Sequence, residues 1–306
     1  MGQAQQAPGP DVRGPGKQGG NPTSKAGRNL PAAIVVGLGM LIAVLGGLLF
    51  LPIGFVLMVA AFALFGVWEI FRAMEAAGTR IPIVPVLVGT AAMPVAAYFG
   101  GLESLLFALL ASSVAVLLWR SLEGAAGSAR GIFAGVFTMA WVPFLISFAV
   151  LPLHTPGGLA PAGFWPGGVV PPGAWQIALL LLLVVANDTF GYLVGAFLGK
   201  HPMAPKISPK KTWEGFAGSI GGALLIGVPG TIFILDRPWW VGAVLAVGMV
   251  AAATAGDLAE SMVKRELGIK DMSSILPGHG GVMDRLDSIV FASPVAFILF
   301  SAVAGA

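Results

Sequence analysis

The chain contains no cysteine, so disulfides, thiolate metal sites and cysteine nucleophiles are all excluded. Histidine is nearly as scarce: His154, His201 and His279 are scattered along the sequence, which disfavours a zinc site. Charge is sparse as well, at 10% of residues against 57% hydrophobic, and the mean hydropathy is +0.89. A soluble chain of 306 residues needs far more charge to cover its surface. The apolar runs are continuous rather than alternating, so a membrane β-barrel is excluded and strands are not expected. No G-x-x-x-x-G-K-[ST] spacing occurs around Gly195–Lys200, where Val194 and His201 break it. No Ser–His–Asp arrangement is evident and no nucleic-acid partner is expected; the net charge of +3 means little as an average, because the distribution of charge carries the information.

What is present is a series of apolar runs of about 20 residues, each long enough to cross a hydrocarbon core of ~30 Å as a helix. The fold expected is all-α: a polytopic membrane protein of about nine helices, near 31–49, 50–71, 81–99, 103–119, 131–152, 174–198, 215–235, 239–255 and 289–306. The stretch Leu30–Ile70 exceeds one crossing, and a hairpin broken near Gly46, Gly47 and Pro52 is predicted. Residues 1–29 are rich in Gly, Pro, Gln and Ser, with no apolar signal-peptide core, and read as a disordered basic cytosolic tail. Residues 30–173 read as transmembrane scaffold and 174–306 as the catalytic membrane region.

Basic residues set the orientation. With the N-terminus cytosolic and the C-terminus external, 16 of the 17 Lys and Arg fall on the cytosolic side, all but Arg237. The connection 153–173 carries no charged residue, as an external loop should.

Three charged pieces stand out in the last third, and this topology puts all of them at the cytosolic face. Asp188 lies inside the sixth span, about three turns from its end, and an intramembrane acid is a functional candidate by default. Gly191, Gly195 and Gly199 beside it form a small-residue packing seam. In Ser208-Pro209-Lys210-Lys211-Thr212-Trp213-Glu214-Gly215, Ser208 and Pro209 read as the N-cap and first residue of the next helix. Lys210 and Lys211 would then sit in its first turn, which suits a bound anion such as phosphate; the alternative is a positive-inside anchor.

The third piece runs from Asp257 to Asp287. Asp257, Glu260, Ser261 and Lys264 share one helical face, and Gly268 is a plausible helix stop. Lys270 and Asp271 lead into a glycine turn, Pro277-Gly278-His279-Gly280-Gly281, where small residues permit close approach to a ligand. Asp284 and Asp287, three apart, can face one point. Carboxylates combined with phosphate oxygens are the usual way Mg²⁺ is held, and a second cation is compatible with this many acids. The alternative, a solvated face of structural ion pairs, accounts poorly for the glycine turn and the paired acids together. Metal and basic groups around a polyphosphate are what phosphoryl transfer requires.

Ser261, Lys264-Arg265, Lys270-Asp271, Ser273, Leu276-Pro277, His279-Gly280-Gly281, Asp284-Arg285 and Asp287 resemble the signature of the phosphatidate cytidylyltransferases, the CDP-diacylglycerol synthases. The runs Asp188-Thr189 to Gly199-Lys200 and Ile207 to Gly215 resemble that family too, with Gly191 standing where alanine is more usual. The likeness is specific over about residues 175–290 and rests on hydrophobic character alone before that.

The resemblance implies Mg²⁺-dependent reaction of CTP with phosphatidate in the bilayer, giving CDP-diacylglycerol and pyrophosphate. It also implies a multi-pass protein of the cytoplasmic membrane, bacterial in type, and a homodimer. On this basis Asp257 and Asp284 are the expected principal metal ligands, with Asp287 and Asp188 as secondary candidates. Lys210, Lys211, Lys264 and Arg265 would hold the triphosphate or the lipid phosphate, with Ser208 beside them. Lys270, Asp271, His279, Gly280, Gly281 and Arg285 would shape the nucleotide site. Rival readings are a cytidylyltransferase for another membrane lipid phosphate and a transporter; the latter would place its polar groups nearer the midplane, on broken helices in related halves.

Overall fold

The computed structural model describes residues 39, 42–124, 128–155, 164–165, 168–273, 275 and 280–304, the side chains of 303 and 304 excepted. Among the described residues, seven helices are long and apolar enough to cross a membrane, so the chain is an all-α polytopic membrane protein. They are α1 (Pro52–Ala76), α2 (Ile83–Glu123), α3 (Ser128–Ser147), α4 (Pro172–Leu198), α5 (Trp213–Ile234), α6 (Trp239–Glu266) and α7 (Met283–Ala304). Residues 42–50 are helical as well, and the chain breaks at Leu51 before Pro52 opens α1, where the fixed proline φ suits a first helical turn.

α2 is not one straight rod. Gly101 has φ +67°, outside the helical region, and the two halves fold back on each other there. Gly89 and Ser112, in opposite halves, approach so closely that a Cβ on Gly89 would lie 2.5 Å from the serine Oγ. His154 fills the outside of the bend, its Nδ1 3.0 Å from the Tyr98 carbonyl oxygen. α3 widens to a π-helical turn at Ala140–Phe144, where Pro143 cannot donate to the helical ladder.

α4 and α5 are zipped together by small residues, as the glycine spacing predicts. A Cβ on Gly191 would sit 2.4 Å from Ser219 Oγ, and one on Gly215 would sit 2.9 Å from the Gly191 carbonyl oxygen. The close approach lets Ser219 Oγ donate to the Asn187 carbonyl at 2.7 Å, drawing α5 against the turn that carries Asp188.

Between α4 and α5 the chain does what its hydropathy did not announce. Strand β1 (Pro202–Ala204) pairs antiparallel with β2 (Ser208–Thr212) in a small hairpin. Ser208 and Pro209 therefore do not open a helix. The residue before a proline is driven to extended backbone, and a partner strand is at hand to pair with it. The N-cap of α5 is Thr212, whose Oγ1 accepts from Gly215 N at 3.1 Å. Glu214 anchors the hairpin's base: its Oε2 accepts from Lys200 N and His201 N, each at 3.1 Å, and its Oε1 lies 2.5 Å from His201 Nδ1.

α6 ends where Gly268 predicts. Gly268 takes φ +70°, its N–H donates to Arg265 O, and Ile269 N donates to Lys264 O, a Schellman arrangement.

Candidate active site

Four elements bring the charged residues together: α4 with Asp188, β2 with Lys211, α6 with Asp257, Glu260 and Lys264, and α7 with Asp284 and Asp287. The face of α6 marked by i, i+3, i+4 and i+7 spacing is the face turned inward, with Glu260, Ser261 and Lys264 buried. Gly256 makes room for α7, since a Cβ there would meet the Asp287 carbonyl oxygen at 2.4 Å.

Acids and ammonium groups alternate. Lys211 Nζ lies 2.6 Å from Asp257 Oδ2, while Ser261 Oγ donates to Asp257 Oδ1 at 3.3 Å. Lys264 Nζ bridges two acids, Glu260 Oε2 at 3.0 Å and Asp284 Oδ1 at 2.7 Å. The two lysines differ in access. The Lys211–Asp257 side chains are 25% and 31% exposed, against 11% for Lys264 and 0% for Glu260, so the first pair faces solvent and the second is internal. Asp287 sits beside Glu260 and feels the charges of Asp257 and Asp188. Asp188 accepts from Asn187 Nδ2 at 2.8 Å and has Asp257, Lys211 and Arg285 as electrostatic neighbours.

Strand geometry separates the two hairpin lysines. Successive side chains of a strand point to opposite faces, so Lys211 reaches Asp257 while Lys210 is exposed. Both were expected on one helical turn; the extended backbone of β2 is the reason they part. Ser208 sits at the start of the same strand, half-buried.

Arg265 points away from the carboxylates. Its Nε donates to Ile207 O and its Nη1 to Ile269 O, each at 3.3 Å, tying the end of α6 to the hairpin. Lys270 and Asp271 are exposed in the loop that follows, and Arg285 is exposed one residue beyond Asp284. His279 lies outside the described residues.

Pro277 and Gly278 lie outside the described residues with His279; the described end of the glycine turn, Gly280 and Gly281, packs around Asp284. Its Oδ2 accepts from Gly281 N at 2.8 Å and from Met272 N at 3.2 Å, so both of its oxygens are engaged, one by backbone and one by Lys264. Gly280 has φ +80°, and a Cβ there would crowd the same oxygen at 2.9 Å. Gly281 is buried and small for another reason: a Cβ would lie 2.7 Å from Glu69 Oε2.

Glu69 is the residue that sequence reasoning passed over. It lies on α1, in the stretch read as scaffold, and is 1% exposed. Its Oε1 accepts from Val282 N at 2.9 Å and Ser273 Oγ at 2.5 Å, and its Oε2 accepts from Met283 N at 2.8 Å. These N–H groups belong to the opening turn of α7, where backbone donors have no helical partner. A lone acid inside an apolar span was the available signal; the rule applied to Asp188 applies equally to Glu69. Glu260 is a second omission, visible on the α6 face but not singled out. It is buried against Asp287, and the two carboxyl groups pair with each other.

The donor set suits a hard divalent cation. All the acids offer oxygen, and two or three carboxylates completed by water and phosphate oxygens is the mode in which Mg²⁺ is bound. Among the described residues no three His, Asp or Glu side chains converge into a ready-made cage. The crowding of Asp188, Asp257 and Asp287 nevertheless leaves negative charge that a cation would neutralise. Chemically, the site can hold a polyanion between lysines and carboxylate-bound metal at the end of a membrane bundle.

Comparison with known proteins points the same way. A family model described as the cytidylyltransferase family matches residues 31–303. A phosphatidate cytidylyltransferase of Mycobacterium bovis is 38% identical over 307 residues, covering 95% of this chain and 94% of that protein. The phosphatidate cytidylyltransferase of Mycobacterium leprae is 37% identical over 312 residues, with 95% and 94% covered. That of Synechocystis is 39% identical over a shorter 142 residues, 44% of this chain and 48% of its own.

Proposed function

We propose, from the premise that the chain belongs to the cytidylyltransferase family, that it transfers CMP from CTP to phosphatidate, giving CDP-diacylglycerol and pyrophosphate. The observation that carries this reading is the alternation of Lys211, Asp257, Asp287, Glu260, Lys264 and Asp284 where β2, α6 and α7 meet, solvent-facing at Lys211 and internal at Lys264. A polyphosphate and a lipid phosphate bring several negative charges together, and neutralising them is the main task of such a site.

The phosphate monoester of phosphatidate has a second pKa of about 6 and is largely dianionic at neutral pH, so it needs no strong general base. Its oxygen attacks the α-phosphorus of CTP in line, and pyrophosphate leaves. Lys211, at the solvent-facing edge, can exchange Asp257 for a phosphate oxygen. Lys264, held by Glu260 and Asp284, supplies fixed positive charge deeper in. Asp257, Asp284, Asp287 and Asp188 are the residues that would hold Mg²⁺, alone or with a second cation. When bound, the metal supplies charge neutralisation and aligns phosphate oxygens. The glycine turn, clamped by Glu69, sets where Asp284 stands.

In this reading α2 contributes two crossings and residues 42–50 belong to a further one, which makes nine. The N-terminus and the site then lie on the cytosolic side and the C-terminus outside. The support is the sharp reversal at Gly101 and the distribution of Lys and Arg. The protein would reside in the cytoplasmic membrane of a bacterium as a homodimer, an assembly that native mass spectrometry in detergent would reveal.

The test is transfer of label from α-labelled CTP into lipid by the purified chain, with a panel of lipid phosphates and with Mg²⁺ or chelator. Label should enter the lipid phase with phosphatidate and Mg²⁺, with pyrophosphate released in equal amount. Transfer only to a polyprenyl phosphate, or no transfer to any lipid, would refute the proposal.

A further inference from the structure

A cavity of about 130 Å³ lies among α1, the end of α3, α4 and α7. Its lining includes Phe55 and Phe62 of α1, Ala149 just after α3, Leu181 of α4 and Ile289 of α7, and Arg285 is the one charged residue among them. The cavity is a partly open cleft with an almost wholly apolar lining, a shape and chemistry that admit a hydrocarbon chain rather than water. Phe55 and Phe62 are seven residues apart on one helix, so the lining extends about 10 Å along the helix axes, the direction in which a lipid chain lies. Its charged end is beside the reaction site. Arg285 follows Asp284 directly and is an electrostatic neighbour of Asp188. A guanidinium at the head of an apolar cleft matches a phosphate joined to a hydrocarbon tail, because it pairs with phosphate in a fixed two-pronged geometry.

We propose that this cavity receives an acyl chain of the lipid phosphate substrate, with Arg285 holding the phosphate at its mouth. The inference rests on the reaction proposed above and deepens it: Arg285 serves the lipid rather than the nucleotide. The tail enters from within the bundle, below the carboxylates, while the nucleotide approaches from the side of the solvent-facing Lys211. The two substrates thus meet from different directions at Asp284.

The experiment compares long-chain (dioleoyl) and short-chain (dihexanoyl) phosphatidate as acceptors for CMP, using the full chain in detergent micelles. Ala149→Phe fills the cavity. It should lower kcat/KM for the long-chain lipid by about tenfold or more while leaving the short-chain lipid and the KM for CTP unchanged. Should Ala149→Phe fail to fold, Phe62→Ala enlarges the same space and should shift the long-to-short preference ratio; an unchanged ratio in that variant overturns the proposal. Equal losses on both lipids, or no loss on either, in a folded Ala149→Phe protein would also overturn it, reducing the cavity to packing or a structural lipid site. Absence of transfer to either lipid by the wild-type chain would instead refute the proposed reaction itself.

Discussion

Replacing Glu69 should disable the site from a distance. Its carboxylate accepts three hydrogen bonds, from Val282 N, Met283 N and Ser273 Oγ, in a position 1% exposed. Hydrogen bonds to a charged group contribute about 1.5–3 kcal/mol each, and a buried donor left unpaired costs its full desolvation. Glu69→Ala orphans two backbone donors at once, which puts the strain on the glycine turn at about 3–6 kcal/mol. The loss falls on the turn rather than on the whole bundle, because the apolar packing of α1 is otherwise intact. Asp284 Oδ2 is bonded to Gly281 N in the same turn, so displacing the turn displaces Asp284. Each 1.4 kcal/mol is tenfold in the population of the ordered turn, so kcat should fall by about 100-fold or more. Glu69→Gln keeps an acceptor oxygen but loses the charge, and about tenfold of activity should go. The assay is label transfer from CTP, paired with hydrogen exchange at the Val282 and Met283 amides and limited proteolysis at residues 268–273 in detergent. Wild-type turnover together with wild-type protection at both places in a folded Glu69→Ala protein would refute the reasoning.

Gly281→Ala should reproduce the Glu69→Ala phenotype, since its Cβ would press to 2.7 Å from Glu69 Oε2; normal kcat in that variant would mean the turn can yield. Asp284→Asn removes the charge paired with Lys264 and should abolish CMP transfer while the protein still elutes as a folded species on size exclusion. Lys211→Ala should raise KM for CTP by about tenfold, whereas Lys210→Ala, exposed on the opposite strand face, should have the smaller effect; equal effects would place both lysines on one ligand.

Much of the site was legible because its signals are local. Helical spacing put Glu260, Ser261 and Lys264 on one face of α6, and burial follows that face. Gly268 stops the helix through a left-handed conformation that a glycine adopts without penalty. The seam of Gly191, Gly195 and Gly199 was equally readable, because close helix packing demands small side chains at fixed intervals. The Ser208–Thr212 segment misled for a physical reason. Ser-Pro fits a helix start as well as it fits a strand, and only the presence of Pro202–Ala204 alongside decides between them.

By itself the sequence determined that this is a membrane bundle, and that its acids, bases and a glycine turn concentrate in the last third. Hydropathy is summed over contiguous residues and capping acts over a few, so both are written in the order of the chain. Tertiary structure decided the pairings: Lys211 with Asp257, Lys264 between Glu260 and Asp284, and Arg265 on backbone carbonyls. It also decided that Glu69, separated by 204 to 214 residues from its partners, holds the glycine turn, and that an apolar cavity ends at Arg285. Such contacts are fixed by which helices lie side by side in space, and no local pattern in the chain encodes that arrangement.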